Sequence, residues 1–342
     1  MKRIVVIGGG TGTYTVLSGL KEYPVHLSAV VAMSDNGGST GVLRDELGVL
    51  PPGDIRRSLI ALSESPQIIR DLFNYRFESG GLEGHSFGNL FLTALEKVTG
   101  NFEEAVKEAG KILSIRGDVI PATLHNTHLY AKLEDGTVIE GETNIDIPKH
   151  DGRLRIKDVA LKPKARVTKS ARTAIQEADL IVLSPGDLFT SLIPNLLILG
   201  IPEAIRASKA KVVYCCNLTT KHGETNGFTV DDFVSTIERY LGKHEIDYVI
   251  AHQGMLPQKL LSRYRKEKKE PVMISSHRLW RDRAEGADRA RQRSYRLIPA
   301  DIASAKNYFR HDSEKLAKVL MMLTEFDNVV NFLGLKDFGE EC

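Results

Sequence analysis

Cysteine is scarce: there are 3 in 342 residues, two of them adjacent at Cys215 and Cys216 and the third at Cys342, so no framework of bridges can staple the chain. A reducing, cytoplasmic setting is the matching expectation. Long apolar runs are missing too. No stretch reaches the roughly 18 apolar residues of a membrane span, and the short run Ile4 to Ile7 that follows Lys2 and Arg3 is too brief for a signal peptide. Neither sign of charge dominates, with 46 Lys plus Arg against 44 Asp plus Glu and a formal net charge of +2. That balance provides no general attraction to nucleic acid. Low-complexity tracts and internal repeats are absent as well. What is present, 42% hydrophobic and 26% charged residues, is the composition of a globular protein with a substantial core.

Runs of Val and Ile bounded by turn residues alternate with helix-patterned segments, the pattern of parallel strands joined by crossovers. Strands are expected at 2–7, 27–33, 180–183, 211–217 and 248–251. Helices are expected at 13–22, 55–62, 68–75, 90–99, 101–111, 168–177, 231–241 and 313–322. Residues 127–133 alternate apolar and polar side chains, meet Asp135-Gly136 and resume at 137–139, which is a hairpin signal. The fold class that follows is α/β: a Rossmann-like, mainly parallel sheet with helices on both faces and a small β-rich insertion at about 115–165.

Ligands of open α/β sheets bind beyond the carboxyl ends of the strands, so the residues after each strand carry the functional argument. After the first strand, Gly9, Gly10, Thr11, Gly12 and Thr13 suit a phosphate: the backbone can approach closely, helix-start N–H groups point at the anion, and hydroxyls add donors. The alternative is a tight turn without a ligand. The dinucleotide fingerprint fails because Thr13 stands where its third glycine belongs, and the P-loop pattern fails because no Lys follows the glycines. After the second strand, Asp35, Asn36, Gly37, Gly38 and Ser39 either hold a ribose or a phosphate, or cap a turn, with Asp35 also a possible metal ligand. Asp54 and Arg56 follow Pro51-Pro52-Gly53 and read either as a helix cap or as a pair facing a substrate phosphate. His85, before Asn89, is either an acid or base or a structural histidine. Later strand ends offer Gly186 with Asp187, and Asn217.

Taken in order, these segments resemble the YvcK/CofD-like family and lie closest to its YvcK branch. The motifs are residues 8–12 (GGGTG), 35–41 (DNGGSTG), 50–56 (LPPGDIR), 84–90 (GHSFGNL), 121–124 (PATL), 178–197 (ADLIVLSPGDLFTSLIPNLL), 217–220 (NLTT) with 223–225 (GET), and 310–312 (RHD). The resemblance implies a single CofD-like domain over 1–342, in which a C-terminal lobe at about 245–342 completes a nucleotide pocket. On the YvcK branch it implies a UDP-sugar ligand such as UDP-N-acetylglucosamine and a bacterial role in cell shape and envelope synthesis during gluconeogenic growth. On the CofD branch it implies magnesium-assisted transfer of a phospholactyl-type group from a guanosine diphosphate donor. Nucleotide contact is carried over to the glycine loops, Asp35, Ser39, Asn217 and the Gly186-Asp187 turn. Tyr264 and Arg310 match positions that the family associates with the UDP-sugar.

Two positions depart from the family pattern. Asn36 stands where a second aspartate is usual, which halves the charge available to a divalent cation there, and Asp187 stands where a small residue is usual. The leading expectation is therefore a regulator that binds a nucleotide sugar without a metal and without necessary turnover, acting through protein partners. The alternative is a transferase in which Asp35, Asp54 or Asp187 holds magnesium. An NAD-binding protein is disfavoured by Thr13. Residues 278–296 hold seven arginines, the only tryptophan and interleaved acids, so a solvated surface or a subunit contact is expected before nucleic acid. A homodimer is the default assembly.

Overall fold

The computed structural model describes residues 1–254, 258–274, 295–304 and 309–332. Seven strands form one parallel sheet: β1 (Arg3–Gly8), β2 (His26–Val31), β3 (Asp118–Pro121), β7 (Leu180–Leu183), β8 (Lys211–Cys215), β9 (Tyr248–His252) and β10 (Arg296–Ala300). The three strands omitted from that numbering, β4 (His128–Leu133), β5 (Val138–Glu140) and β6 (Ile156–Lys162), make a separate antiparallel sheet in the order β5-β4-β6. The main sheet runs β10-β9-β8-β7-β1-β2-β3. That is the Rossmann order with one strand added at the far edge.

The sequence explains the burial. Alternate side chains of a strand leave opposite faces, and here both faces are covered. Val5, Ile7, Val30, Ile181, Leu183 and Tyr214 enter one core, while Ile4, Val6, Leu27, Ala29, Leu180, Val182 and Val213 enter the other. Strands buried on both sides read as continuous apolar runs, as β7 does with all four residues buried.

The helices that matter for the crevice are α1 (Gly10–Leu20), α2 (Gly38–Leu47), α3 (Gly53–Leu62), α4 (Gln67–Asn74), α5 (Phe87–Thr99), α6 (Phe102–Ile112) and α7 (Glu142–Asp146). The C-terminal helix Ser313–Phe332 lies so close to α1 that a Cβ on Gly19 would sit 2.1 Å from the Ser313 carbonyl oxygen. Among the described residues no helix is long and apolar enough to cross a membrane.

Three features differ from the sequence reading. Residues 38–47 form α2, because Gly37 in extended conformation starts a helix and Gly48 in the left-handed conformation ends it. The segment expected as an insertion from about 115 begins with β3, an edge strand of the main sheet, and the antiparallel sheet covers only 128–162. Residues 296–300 add an unexpected edge strand, β10, which pairs in parallel with β9, the strand expected at 248–251. Of the arginine-rich segment, residues 278–294 lie outside the described residues, and Arg296 opens β10.

Candidate functional site

β1 and β7 are neighbours whose chain continues to opposite sides of the sheet, and the crevice opens at this switch point. Gly12 of α1 packs directly on the turn after β7. A Cβ there would sit 1.7 Å from the Pro185 carbonyl oxygen, so only glycine permits the contact. Thr11, Gly12, Gly186 and Asp187 form a saddle between two chambers of about 500 and 450 Å³.

The first chamber gathers helix starts and charge. α1, α2 and α3 all begin on it after Gly9, Gly37 and Pro52, none of which supplies a side-chain cap, so first-turn N–H groups are presented to the cavity. Asp35 bonds the Gly37 N–H through Oδ1 at 2.8 Å, the capping role weighed for it, and also lines the chamber. Asp54 accepts from the Gly10 N–H; burial, reinforced by nearby Asp35, pushes its pKa up to about 6. Glu142, brought in by α7, is raised further, to about 8, again first by burial and then by Asp35 and Asp146. These carboxyls share one chamber and repel one another's ionised forms.

Arg56 lines the same chamber at 6% exposure. Its Nε donates to Asn89 Oδ1 at 3.0 Å, and its Nη1 donates to Asn74 Oδ1 at 2.9 Å and to the Phe73 carbonyl at 3.2 Å. All three acceptors are neutral, and burial lowers its pKa to about 10. A guanidinium held by neutral acceptors forms no direct ion pair through these bonds and can still attract an incoming anion. Asn89 in turn donates to Ser39 Oγ at 3.2 Å, and His85 Nδ1 lies 3.1 Å from the same oxygen. Arg57 and Arg76 complete the positive side.

The second chamber is aromatic and well bonded. Asn217 Nδ2 donates to the Gly186 carbonyl at 2.7 Å and its Oδ1 accepts from the Tyr214 hydroxyl at 3.3 Å, so Asn217 braces the saddle. The Tyr264 hydroxyl accepts from the Phe309 N–H at 3.1 Å, and the two rings meet edge to face at 6.5 Å. Arg310 is exposed at the rim, in a short ribbon with Ala303–Ser304. His311 Nε2 lies 3.0 Å from the Cys216 carbonyl, and burial pushes its pKa down to about 4. At neutral pH it is an uncharged donor to that carbonyl.

Of the expected contacts, Gly9, Gly10, Thr11, Gly12, Asp35, Gly37, Gly38, Ser39, Asp54, Arg56, Asn89, Gly186 and Asp187 line the first chamber, and Asn217, Tyr264 and Arg310 the second. Two do not line either. Thr13 is fully buried, with its hydroxyl 2.7 Å from Ser184 Oγ and 3.1 Å from the Gly9 carbonyl. Asn36 turns away and accepts from the Thr143 N–H at 2.9 Å and hydroxyl at 3.1 Å, which ties α7 to the loop after β2.

Sequence reading missed Glu142, Asp146, Lys221 and Glu224. The first two arrive on α7 from the insertion, and no local pattern marks them. Glu224 lies in the GET motif, which was a signal for it, although not for a role. Asp146, Asp187 and Glu224 have carboxylate oxygens within 4.8 Å of one another, and Lys221 already sits among them. Of the three acids proposed for magnesium, Asp187 is thus paired with Lys221 and Asp54 lies 3.5 Å from Arg57. Asp35 has no cationic side chain at ion-pair distance among the described residues, so a cation bound here would rest chiefly on that single carboxylate.

Comparison with known proteins agrees with this architecture. The family described as 2-phospho-L-lactate transferase CofD matches residues 4–291. The gluconeogenesis factor of Bacillus subtilis is 40% identical over 325 residues, covering 94% of this chain and 98% of the relative. That of Halalkalibacterium halodurans is 44% identical over 280 residues, covering 81% and 86%. The crystal structure of a UPF0052 family member from Bacillus halodurans superposes with a TM-score of 0.85 at 39% identity, covering 94% of this chain and 98% of that one. By its sheet order, its strand-end crevice and these matches over most of its length, the chain belongs to the CofD family, among relatives named gluconeogenesis factor.

Proposed function

We propose that this protein is a cytoplasmic regulator that binds a nucleotide sugar of the UDP-N-acetylglucosamine kind, serving cell shape and envelope synthesis under gluconeogenic growth. The observation that carries the reading is the joined pair of chambers. The three converging helix starts and Arg56 suit a diphosphate, while Tyr264 and Arg310 on the far side of the saddle suit the sugar end. Donors to hydroxyl-rich ligands come from Asn217 and the threonines at 219 and 220. Regulation needs no turnover: a ligand that binds one conformation more tightly shifts the population that a partner protein meets.

Calorimetric titration of wild type, Tyr264→Ala and Arg310→Ala with UDP-N-acetylglucosamine tests the assignment. Each substitution is expected to weaken binding at least about tenfold, the loss of one stacking or charge-assisted contact. Unchanged affinity in both variants removes the site.

A second reading, transfer of a phospholactyl-type group from a nucleotide diphosphate, draws on the carboxylate of Asp35, which has no ion pair among the described residues, and on the raised acids Asp54 and Glu142, which suit proton transfer near neutrality. Consumption of a guanosine diphosphate donor only when magnesium is present would favour it.

A further inference from the structure

Lys221 gathers carboxylates from three separate parts of the chain: Asp146 at the end of α7, Asp187 in the turn after β7, and Glu224 in its own turn. Its Nζ lies 2.8 Å from Asp187 Oδ2 and 3.1 Å from Glu224 Oε1, and pairs closely with Asp146 Oδ1. Glu224 has no exposed side-chain surface, and it also accepts from the Phe189 N–H at 3.2 Å and the Thr190 hydroxyl at 3.4 Å. The lysine backbone is pinned as well, with its N–H donating to Thr225 Oγ1 at 2.9 Å and its carbonyl accepting from the Thr225 N–H at 2.9 Å.

Three anionic oxygen groups closing on one point are the donor set of a hard divalent cation. Here the point is taken by an ammonium, whose three N–H donors equal the number of carboxylates around it. We propose that Lys221 is the built-in cation of this site, a positioning residue that fixes the Asp187 turn and α7 in place of a metal ion. The consequence is a saddle that keeps its shape without a metal. One ammonium against three carboxylates leaves the group short of positive charge by count; burial raises the Asp187 and Glu224 carboxyls, and Lys221 offsets that only in part. A true divalent ion would compensate them better, so loss of the lysine should turn the cluster into a metal site. This inference goes beyond the nucleotide-sugar reading and does not depend on it.

The test uses the full chain and Mn²⁺ as the probe, read by thermal unfolding and by water-proton relaxation. The wild type is expected to show no Mn²⁺ response that Glu224→Gln abolishes. Lys221→Met is expected to gain a saturable rise in Tm of roughly 5 °C, together with bound Mn²⁺, and to lose both in the Lys221→Met/Glu224→Gln double variant. Lys221→Arg, which retains the charge, should gain neither. Recovery of folded Lys221→Met only in the presence of Mn²⁺ also supports the proposal. It is overturned if the native protein shows a Glu224-dependent Mn²⁺ response, if folded Lys221→Met gains none, or if Lys221→Met stays unfolded with and without Mn²⁺.

Discussion

At the starts of the strands basic side chains face carboxylates one to one: Lys2 with Asp179 at 3.9 Å, His26 with Asp118 at 2.9 Å, Lys211 with Asp247 at 3.0 Å, and Arg3 with Glu177. At their ends the same sheet crowds Asp35, Asp54 and Glu142 into one chamber and leaves Arg56 with neutral acceptors only. Exposed pairs of the first kind contribute about 0–1 kcal/mol each and merely finish the surface. Charges of the second kind are held by the fold against their own electrostatics, and such arrangements accumulate where a ligand supplies the missing partner. One scaffold thus separates upkeep from function along its strand axis.

The largest way to break this contrast is at the saddle. Gly12→Ala places a Cβ 1.7 Å from the Pro185 carbonyl oxygen, far inside van der Waals contact, and overpacking of that kind should cost about 3 kcal/mol in urea unfolding and abolish ligand binding. Wild-type stability in that variant would show that α1 does not rest on the turn. Next comes Arg56→Ala. It should weaken an anionic ligand tenfold to a hundredfold, the worth of about 1.5–3 kcal/mol for a hydrogen bond to charge, as measured by calorimetry at fixed salt. Equal affinity would make Arg56 a purely structural arginine.

Glu142→Gln is expected to act through pH. In the unfolded chain this carboxyl ionises near its ordinary 4.5, but in the fold only near 8. The folded state therefore holds an extra proton between those values, and stability falls as pH rises through the window. The penalty is absent below about pH 4.5 and complete above about pH 8. The substitution should accordingly stabilise the protein by about 2 kcal/mol at pH 9, solvent at the chamber mouth screening part of the full penalty, and by almost nothing at pH 4. Thermal unfolding across that range reads the difference. Smallest of all, Asp118→Asn at a strand start should cost under about 1 kcal/mol and leave ligand affinity unchanged. A measurable loss of affinity there would erase the distinction between the two ends.

Legibility in the sequence followed the range of the interaction. Strand-end loops are local, so Gly9 to Gly12, Asp35 to Ser39, Asp54, Arg56, Gly186 and Asp187 could be picked out from the residues that follow each Val- and Ile-rich run. β3 was hidden because Val119 and Ile120 are its only aliphatic residues, between Asp118 and Pro121, and β10 because Arg296 and Pro299 interrupt its apolar pattern. α2 was hidden by its own start, where glycines read as loop. Glu142 and Asp146 depend on α7 folding back over the body through the Asn36–Thr143 bonds. Apposition across more than a hundred residues leaves no periodicity to read.

The most direct test of the account is calorimetric titration of the wild-type protein with UDP-N-acetylglucosamine, in magnesium and then in chelator, followed by analysis of the recovered ligand. The account predicts one-to-one binding, the same affinity in both buffers, and intact ligand afterwards. Absence of binding, affinity that collapses on chelation, or cleaved nucleotide would contradict it.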